Sequence, residues 1–349
     1  MGKKDKRQPV IDMQGKNIRQ VGIVVRDAAK TAKRYSEIFG VGPWLFFDTA
    51  PTDVILHGQP LNDGESTIRI AVANLGEMQI ELIQPLSGPS THMEFLKERG
   101  EGVHHLSFGV VDNHDEFIGS LQNLGIGIEM QGNLEGSVTF SYMATQKELG
   151  TIFEALNPAP PGVQGNLKPW GTYSPPKPGL LNMEGKEIVQ VGIVVKDAEK
   201  MAKRYWEVFG IGPWAFLDFK PPHVTDGFLH GINMAESDMH IRGALANLGP
   251  IQFELLEPVS GPSTHMEFLQ KHGEGIHHVS FGAVDDHDKV VRVLTGQGIE
   301  IESTGRLGGA ATFTYMATQQ DLGTIFELVK VDPAAQNTLI PYGTYPPSQ

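Results

Sequence analysis

The sequence predicts an α+β protein made of two tandem copies of one module, each copy a βαβββ unit followed by a second βαβββ unit. A long internal repeat predicts the two copies, and a strand and helix order that restarts halfway through each copy predicts the paired units. The repeat is read first because it sets the architecture. Gln20-Val-Gly-Ile-Val-Val25 returns as Gln190 to Val195, and Phe39-Gly-Val-Gly-Pro-Trp44 returns as Phe209 to Trp214. Ser87 to Leu96 returns unchanged as Ser260 to Leu269, and Gly102 to Gly109 returns as Gly275 to Gly282. The spacing is 170 residues before the Pro-rich loop near Pro221 and 173 after it, so one three-residue insertion separates the copies. That period is too long for a solenoid unit. Trp170-Gly-Thr-Tyr173 also returns, as Tyr342 to Tyr345, so each copy carries a similar tail.

Within the first copy, Gln20 to Val25 is short and β-branched, as a buried strand is. Asp27 caps a helix with Ala28, Ala32, Tyr35 and Phe39 at helical spacing, and Gly40 ends it. Strands follow at Thr67–Ala73 and Met78–Ile83, then a short helix capped by Ser90 or Thr91. The order restarts with a strand at His104–Val110, a helix at Asp115–Leu124, and strands near Ile126–Met130, Val138–Tyr142 and Thr151–Leu156. Such a mixed order favours α+β over a doubly wound parallel sheet. The expected division is a disordered basic tail (1–15), a first module (16–157), a Pro-rich linker with the repeated tail (158–184), a second module (185–331) and a second tail (332–349). Seven prolines between Asn157 and Gly179, Pro176 and Pro178 among them, forbid a regular element there.

Composition narrows the function. The net charge is −13, and the only basic cluster is Met1 to Arg7, which argues against nucleic acid as a partner. No cysteine is present, which excludes disulfides, thiolate nucleophiles and sulfur-ligated metals. No apolar run approaches the ~20 residues of a membrane span, and no signal-peptide pattern is visible. The expectation is a cytoplasmic protein with a small-molecule partner.

Four polar residues interrupt strands that should be apolar: Gln20, Glu81, His105 and Glu154, recurring as Gln190, Glu254, His278 and Glu327. A buried glutamate is costly unless paired or metal-bound. Two of them with a His and a Gln make an N/O donor set for one divalent cation. Strand alternation puts Gly22 on the face of Gln20, and Ser107 and Gly109 on the face of His105, leaving room for a cavity. The same alternation turns His104 and His277 away from the metal.

At these residues the chain resembles the vicinal oxygen chelate (glyoxalase/bleomycin resistance/dioxygenase) superfamily over nearly all of both copies. The segment Pro85…Ser90-Thr-His-Met-Glu-Phe-Leu96…Gly100-Glu-Gly-Val-His-His-Leu106 looks most like methylmalonyl-CoA epimerases. Those epimerases usually carry His where this chain has Gln20 and Gln190, so the Gln-Glu-His-Glu order is instead similar to that of zinc-dependent glyoxalase I. The glutathione-binding arginines of glyoxalase I have no evident counterpart, and no coenzyme A signature is clear. The resemblance implies glyoxalase-type modules with cup-shaped sheets. It implies a divalent ion (Zn, Co, Mn, Ni or Mg), a carbonyl substrate, and an isomerase, epimerase or racemase working through a metal-stabilised enolate. It also implies Glu154 and Glu327 as the proton-moving bases, with Glu81 and Glu254 as plain ligands. Rival readings are a lyase with the same enolate chemistry, a ring-cleaving dioxygenase, and a non-catalytic binding protein. The fused copies either mimic the family's dimer or dimerise further.

Other recurring residues are weighed beside these. His57, His92 and Tyr142, with His230, His265 and Tyr315, are candidates for substrate contact. Trp44, Trp214, Phe46 and Phe216 are either core or an aromatic wall. Arg69 and Arg242 either meet a substrate anion or stand exposed. His114 and His287 are read as helix caps or solvent-exposed. The tails with Tyr173 and Tyr345 are candidates for a latch over a pocket.

Overall fold

A computed structural model describes residues 9–13, 15–175, 179–181, 186–284 and 286–347. The basic cluster at 1–7 and the linker residues Pro176 and Pro178 lie outside the described residues.

The first copy runs β1 (Gln20–Val24), α1 (Ala28–Phe39), β2 (Trp44–Thr49), β3 (Thr52–Leu56), β4 (Gln59–Pro60), β5 (Thr67–Leu75), β6 (Met78–Ser87) and α2 (Thr91–Glu98). It continues with β7 (Gly102–Val110), α3 (His114–Asn123), β8 (Ile128–Leu134), β9 (Val138–Met143), α4 (Gln146–Leu149), β10 (Ile152–Pro158) and β11 (Gly171–Tyr173). The second copy repeats this as β12 (Gln190–Val194), α5 (Ala198–Phe209), β13 (Trp214–Phe219), β14 (Val224–Leu229), β15 (Ile232–Asn233), β16 (His240–Leu248), β17 (Ile251–Ser260) and α6 (Thr264–His272). There follow β18 (Gly275–Ala283), α7 (His287–Gly296), β19 (Ile301–Leu307), β20 (Ala311–Met316), α8 (Gln319–Leu322), β21 (Ile325–Val331) and β22 (Gly343–Tyr345).

Each copy closes its own eleven-stranded curled sheet, in the order β11-β2-β5-β6-β1-β7-β10-β9-β8-β3-β4 for the first. The two βαβββ units meet at the antiparallel β1–β7 seam, so β6, β1, β7 and β10 lie side by side at the centre. Sequence periodicity misses the β3–β4 hairpin, which leaves the first unit and pairs with β8 of the second. It spans the two halves and covers an edge strand, as the tail strand β11 covers β2 at the other edge.

The helices end as their residues dictate. The Asp27 carboxylate accepts from the Lys30 amide, and Gly40 adopts the left-handed conformation that closes α1. Ser90 accepts from the Met93 amide at the start of α2.

The convex faces of the sheets share one core. Phe39, at the end of α1, packs on Phe281 and Phe326 of the second copy. Reciprocally, Phe209 on α5 packs on Phe108 and Phe153 of the first. The buried Tyr35 hydroxyl donates to the Leu322 carbonyl, and the Tyr205 hydroxyl to the Leu149 carbonyl. The segments before each copy also exchange partners. Val10 and Ile11 donate backbone bonds to Glu207 and Val208 on α5, whereas Leu180 and Leu181 donate to Glu37 and Ile38 on α1. Residues 10–13, placed by composition in a disordered tail, are therefore seated on the second copy, with Met13 buried among core residues.

Candidate metal centre

Register brings the four polar positions together. On β1, Gly22 stands between Glu81 of β6 and His105 of β7, while Gln20 stands beside Ser107, which in turn neighbours Glu154 of β10. The donors thus occupy two adjacent rows across four neighbouring strands, on the concave face. Gly192, Glu254, His278, Gln190, Ser280 and Glu327 repeat the pattern.

The distances suit a shared ion better than direct hydrogen bonds. His105 Nε2 lies 3.5 Å from Glu81 Oε2 and 3.7 Å from Glu154 Oε2. The second site gives 3.5 Å from His278 to Glu254 and 3.9 Å to Glu327. At ligand distances of about 2.1 Å, two donors on one ion stand roughly 3.0–3.5 Å apart. Glu81 Oε2, His105 Nε2 and Glu154 Oε2 are all buried without a hydrogen-bond partner, as are His278 Nε2 and Glu327 Oε2. Unsatisfied buried polar atoms are rare in folded proteins and demand a cause. Five of them aimed at two common points fit a divalent cation in each module. Gln20 donates its amide to Gln79 Oε1 at 2.7 Å, a bond that does not engage its own carbonyl oxygen. Gln190 and Gln252 repeat this at 2.9 Å.

Electrostatics agree. Burial pushes Glu154 up to about 7, against the lowering effect of the Ser107 and Tyr142 hydroxyls. Burial likewise pushes Glu327 up to about 7. Burial and then the charge of Glu154 raise Glu81 well above the usual carboxylate range. Two such carboxyls facing one point stay ionised together only beside a cation. Burial holds His105 well below its ordinary value, in the neutral form a ligand needs.

Simple alternation fails at one place. A β-bulge shifts the β1–β7 register between Gly22 and Ile23, making His104 the extra residue, and His277 repeats it. His104 therefore does not turn away from the site, and its Nδ1 lies 3.1 Å from His105 Nδ1. His104 Nε2 in turn lies 3.2 Å from Thr91 Oγ1, so both rings and the hydroxyl form one line of polar contacts. His277 makes the same contacts to His278 and Thr264. Such a line of contacts orients the ring, the kind of support that histidines in metal sites receive. The glycine beside the histidine also has a different use from the one read in sequence. The His105 ring lies over Gly22, where a Cβ would overlap it, and His278 lies likewise over Gly192.

A family model described as the Glyoxalase/Bleomycin resistance protein/Dioxygenase superfamily matches residues 19–140 and 189–316. The chain belongs to this superfamily. A mutant of 4-hydroxymandelate synthase from Streptomyces coelicolor is similar in structure, with a TM-score of 0.59 and 16% identity over 92% of this chain and 94% of that one. A Mn(II)-bound glyoxalase from Novosphingobium aromaticivorans has a TM-score of 0.47 and 15% identity, covering 94% of this chain and 84% of that one. Methylmalonyl-CoA epimerase from Mycobacterium tuberculosis is 27% identical over 42% of this chain and 88% of its own, with a TM-score of 0.31. No curated protein matches the chain. The first of these likenesses speaks for the superfamily fold over both modules.

The first module's cup holds an open cavity of ≈ 160 Å³ that joins the candidate site to an apolar space. Gln20, Glu81, Glu154, His92 and Tyr142 form one end, and Phe47, Ile68, Ile70, Ile83 and Phe140 line much of the rest. Of the six residues weighed for substrate contact, His92 and Tyr142 line this cavity, with His92 Nε2 3.2 Å from the tyrosine hydroxyl. His265 and Tyr315 are buried at the matching places. His57 and His230 are half-exposed at the β3–β4 and β14–β15 turns, where each pairs with a glutamate, Glu94 or Glu267, at 2.8 Å.

Trp44 and Trp214 are wholly buried on the convex side with Phe46 and Phe216, as core. Arg69 is paired with Asp48 at 2.7 Å, and Arg242 with Glu257 at 3.0 Å. His114 and His287 neither cap nor stand free in solvent: they tie α3 to Ser141 and α7 to Thr314. Tyr173 and Tyr345 sit in the edge strands β11 and β22 beside Trp44 and Trp214. Among the described residues, no helix is long and apolar enough to cross a membrane.

Proposed function

We propose that the chain is a metal-dependent isomerase, of epimerase or racemase type, that moves a proton on the carbon beside a substrate carbonyl. The observation that carries this reading is Glu154 at the polar end of an apolar cup: buried, and 3.7 Å from the histidine donor beside it. A carboxylate held out of bulk water beside the reacting carbon is placed to act as a general base.

Gln20, Glu81, His105 and Glu154, with Gln190, Glu254, His278 and Glu327, are the residues proposed to hold the ions. A bound divalent cation supplies Lewis-acid polarisation of the carbonyl. The chain's own residues do the rest. Glu154 takes the proton from the substrate carbon, and inversion follows when the planar carbon is reprotonated on its opposite face. Tyr142, whose hydroxyl borders both Glu154 and His92, orients that carboxyl. The apolar walls exclude water and seat the substituent beside the carbonyl.

The Glu154→Gln, Glu327→Gln double variant tests the role of the base. Racemic 2-methylacyl thioesters are incubated with the protein in D2O, and α-deuterium uptake is read by NMR. Wild-type protein is expected to exchange the α-proton, and the variant to lose at least about 100-fold while staying folded. Undiminished exchange in the variant would remove Glu154 and Glu327 from the base role.

A further inference from the structure

The two ligand sets match, but the cups around them do not. In the first module, Phe47, Ile68, Val72, Ile83, Leu134 and Phe140 line the ≈ 160 Å³ cavity that reaches Glu81 and Glu154. Their counterparts, Leu217, Ile241, Leu245, Leu256, Leu307 and Phe313, belong to or pack against one apolar cluster, whose buried members are Leu217, Phe219, Val224, Ile241 and Leu256. Phe219 is a member of that cluster. It shares a strand face with Leu217, and its counterpart in the first module is Thr49. Its ring lies over Gly243, where a Cβ would overlap it, and the residue matching Gly243 is Ile70. A side chain rooted on the outer part of the sheet thus replaces one rooted beside the site, and lays a ring across the cup. The ≈ 50 Å³ cavity nearby in the second module is lined by His265, Ile241 and Phe313 but by none of the four proposed ligands.

We propose that Phe219 over Gly243 closes the second cup, so that a substrate bearing an apolar group is admitted by the first module alone. The second module then keeps its ligand set as a structural or small-molecule site. The closure rests on packing alone; assigning turnover to the first module rests on the metal-dependent reading above.

Two measurements separate these. Xenon occupies dry apolar cavities whether or not an ion is bound. Wild-type crystals under xenon are expected to show it in the first cup, near Ile70 and Phe140, and not in the second. The Phe219→Thr, Gly243→Ile variant restores the first module's pair with nearly the same number of side-chain atoms, a swap that cores tolerate. It is expected to show xenon in both cups, and Phe219→Ala is a second variant should the pair disturb folding. Xenon in both wild-type cups would overturn the closure, as would an unchanged second cup in both variants. Manganese-loaded protein is then titrated with benzohydroxamate, a bidentate oxygen ligand with an apolar ring. One equivalent per wild-type chain and two per Phe219→Thr, Gly243→Ile chain are expected. Two equivalents in wild type would overturn the assignment to the first module. Failure to bind manganese, with the xenon difference intact, would strike the metal reading and leave the closure standing.

Discussion

Gly22→Ala is expected to cost the first module its metal ion and to spare the second. The added methyl group would overlap the His105 ring, which lies directly over the glycine. The backbone at Gly22 needs no glycine, since it is absent from the positive-φ positions, so the effect is steric. The ring is also held by His104 through Nδ1, and moving it shifts Nε2 relative to Glu81 and Glu154. Losing a ligand's placement outweighs the 10–100-fold typical of outer-layer changes, so metal affinity at that site should fall by at least about 100-fold. Gly119→Ala, at a helical position where a Cβ meets nothing within 4 Å, is the control. Equilibrium dialysis should find two ions on the control and one on Gly22→Ala. Two ions bound with wild-type affinity to Gly22→Ala would mean that His105 is not a ligand.

Phe209→Ala is expected to destabilise the whole chain by about 3–5 kcal/mol, the range for emptying a large aromatic from a core. Phe209 belongs to the second copy's helix, yet its ring packs on Phe108, Phe117 and Phe153 of the first. The cavity therefore opens in a core shared by both modules. Denaturant unfolding should remain one transition, moved to lower midpoint. A loss below about 1 kcal/mol, or a shift confined to one of two transitions, would show that the modules are independent.

The duplication was fully legible, because identical strings leave no other reading. Most regular elements were legible too, since α1 and α5 carry both the helical apolar spacing and the cap residues. The β3–β4 hairpin was not, because Thr52 to Pro60 offers only the three-residue apolar run Val54 to Leu56 and is held by a distant strand. The four proposed ligand positions are legible as polar breaks in apolar strands, and the register places them together. The histidine pair was half-legible. Period-two reasoning assumes an unbroken ladder, and the bulge at His104 breaks it in a way that no local residue announces. Phe219 could be seen in sequence only as an unmatched position in the repeat. Its reach over Gly243 depends on the pairing of β13 with β16.

The most direct test of the proposed twin metal centres is the metal content of the purified protein after loading with manganese, zinc or cobalt and removal of free ion. Two ions per wild-type chain, one in His105→Ala and none in the His105→Ala, His278→Ala double variant are expected. A wild-type chain that binds no ion, or a double variant that still binds two, would contradict it.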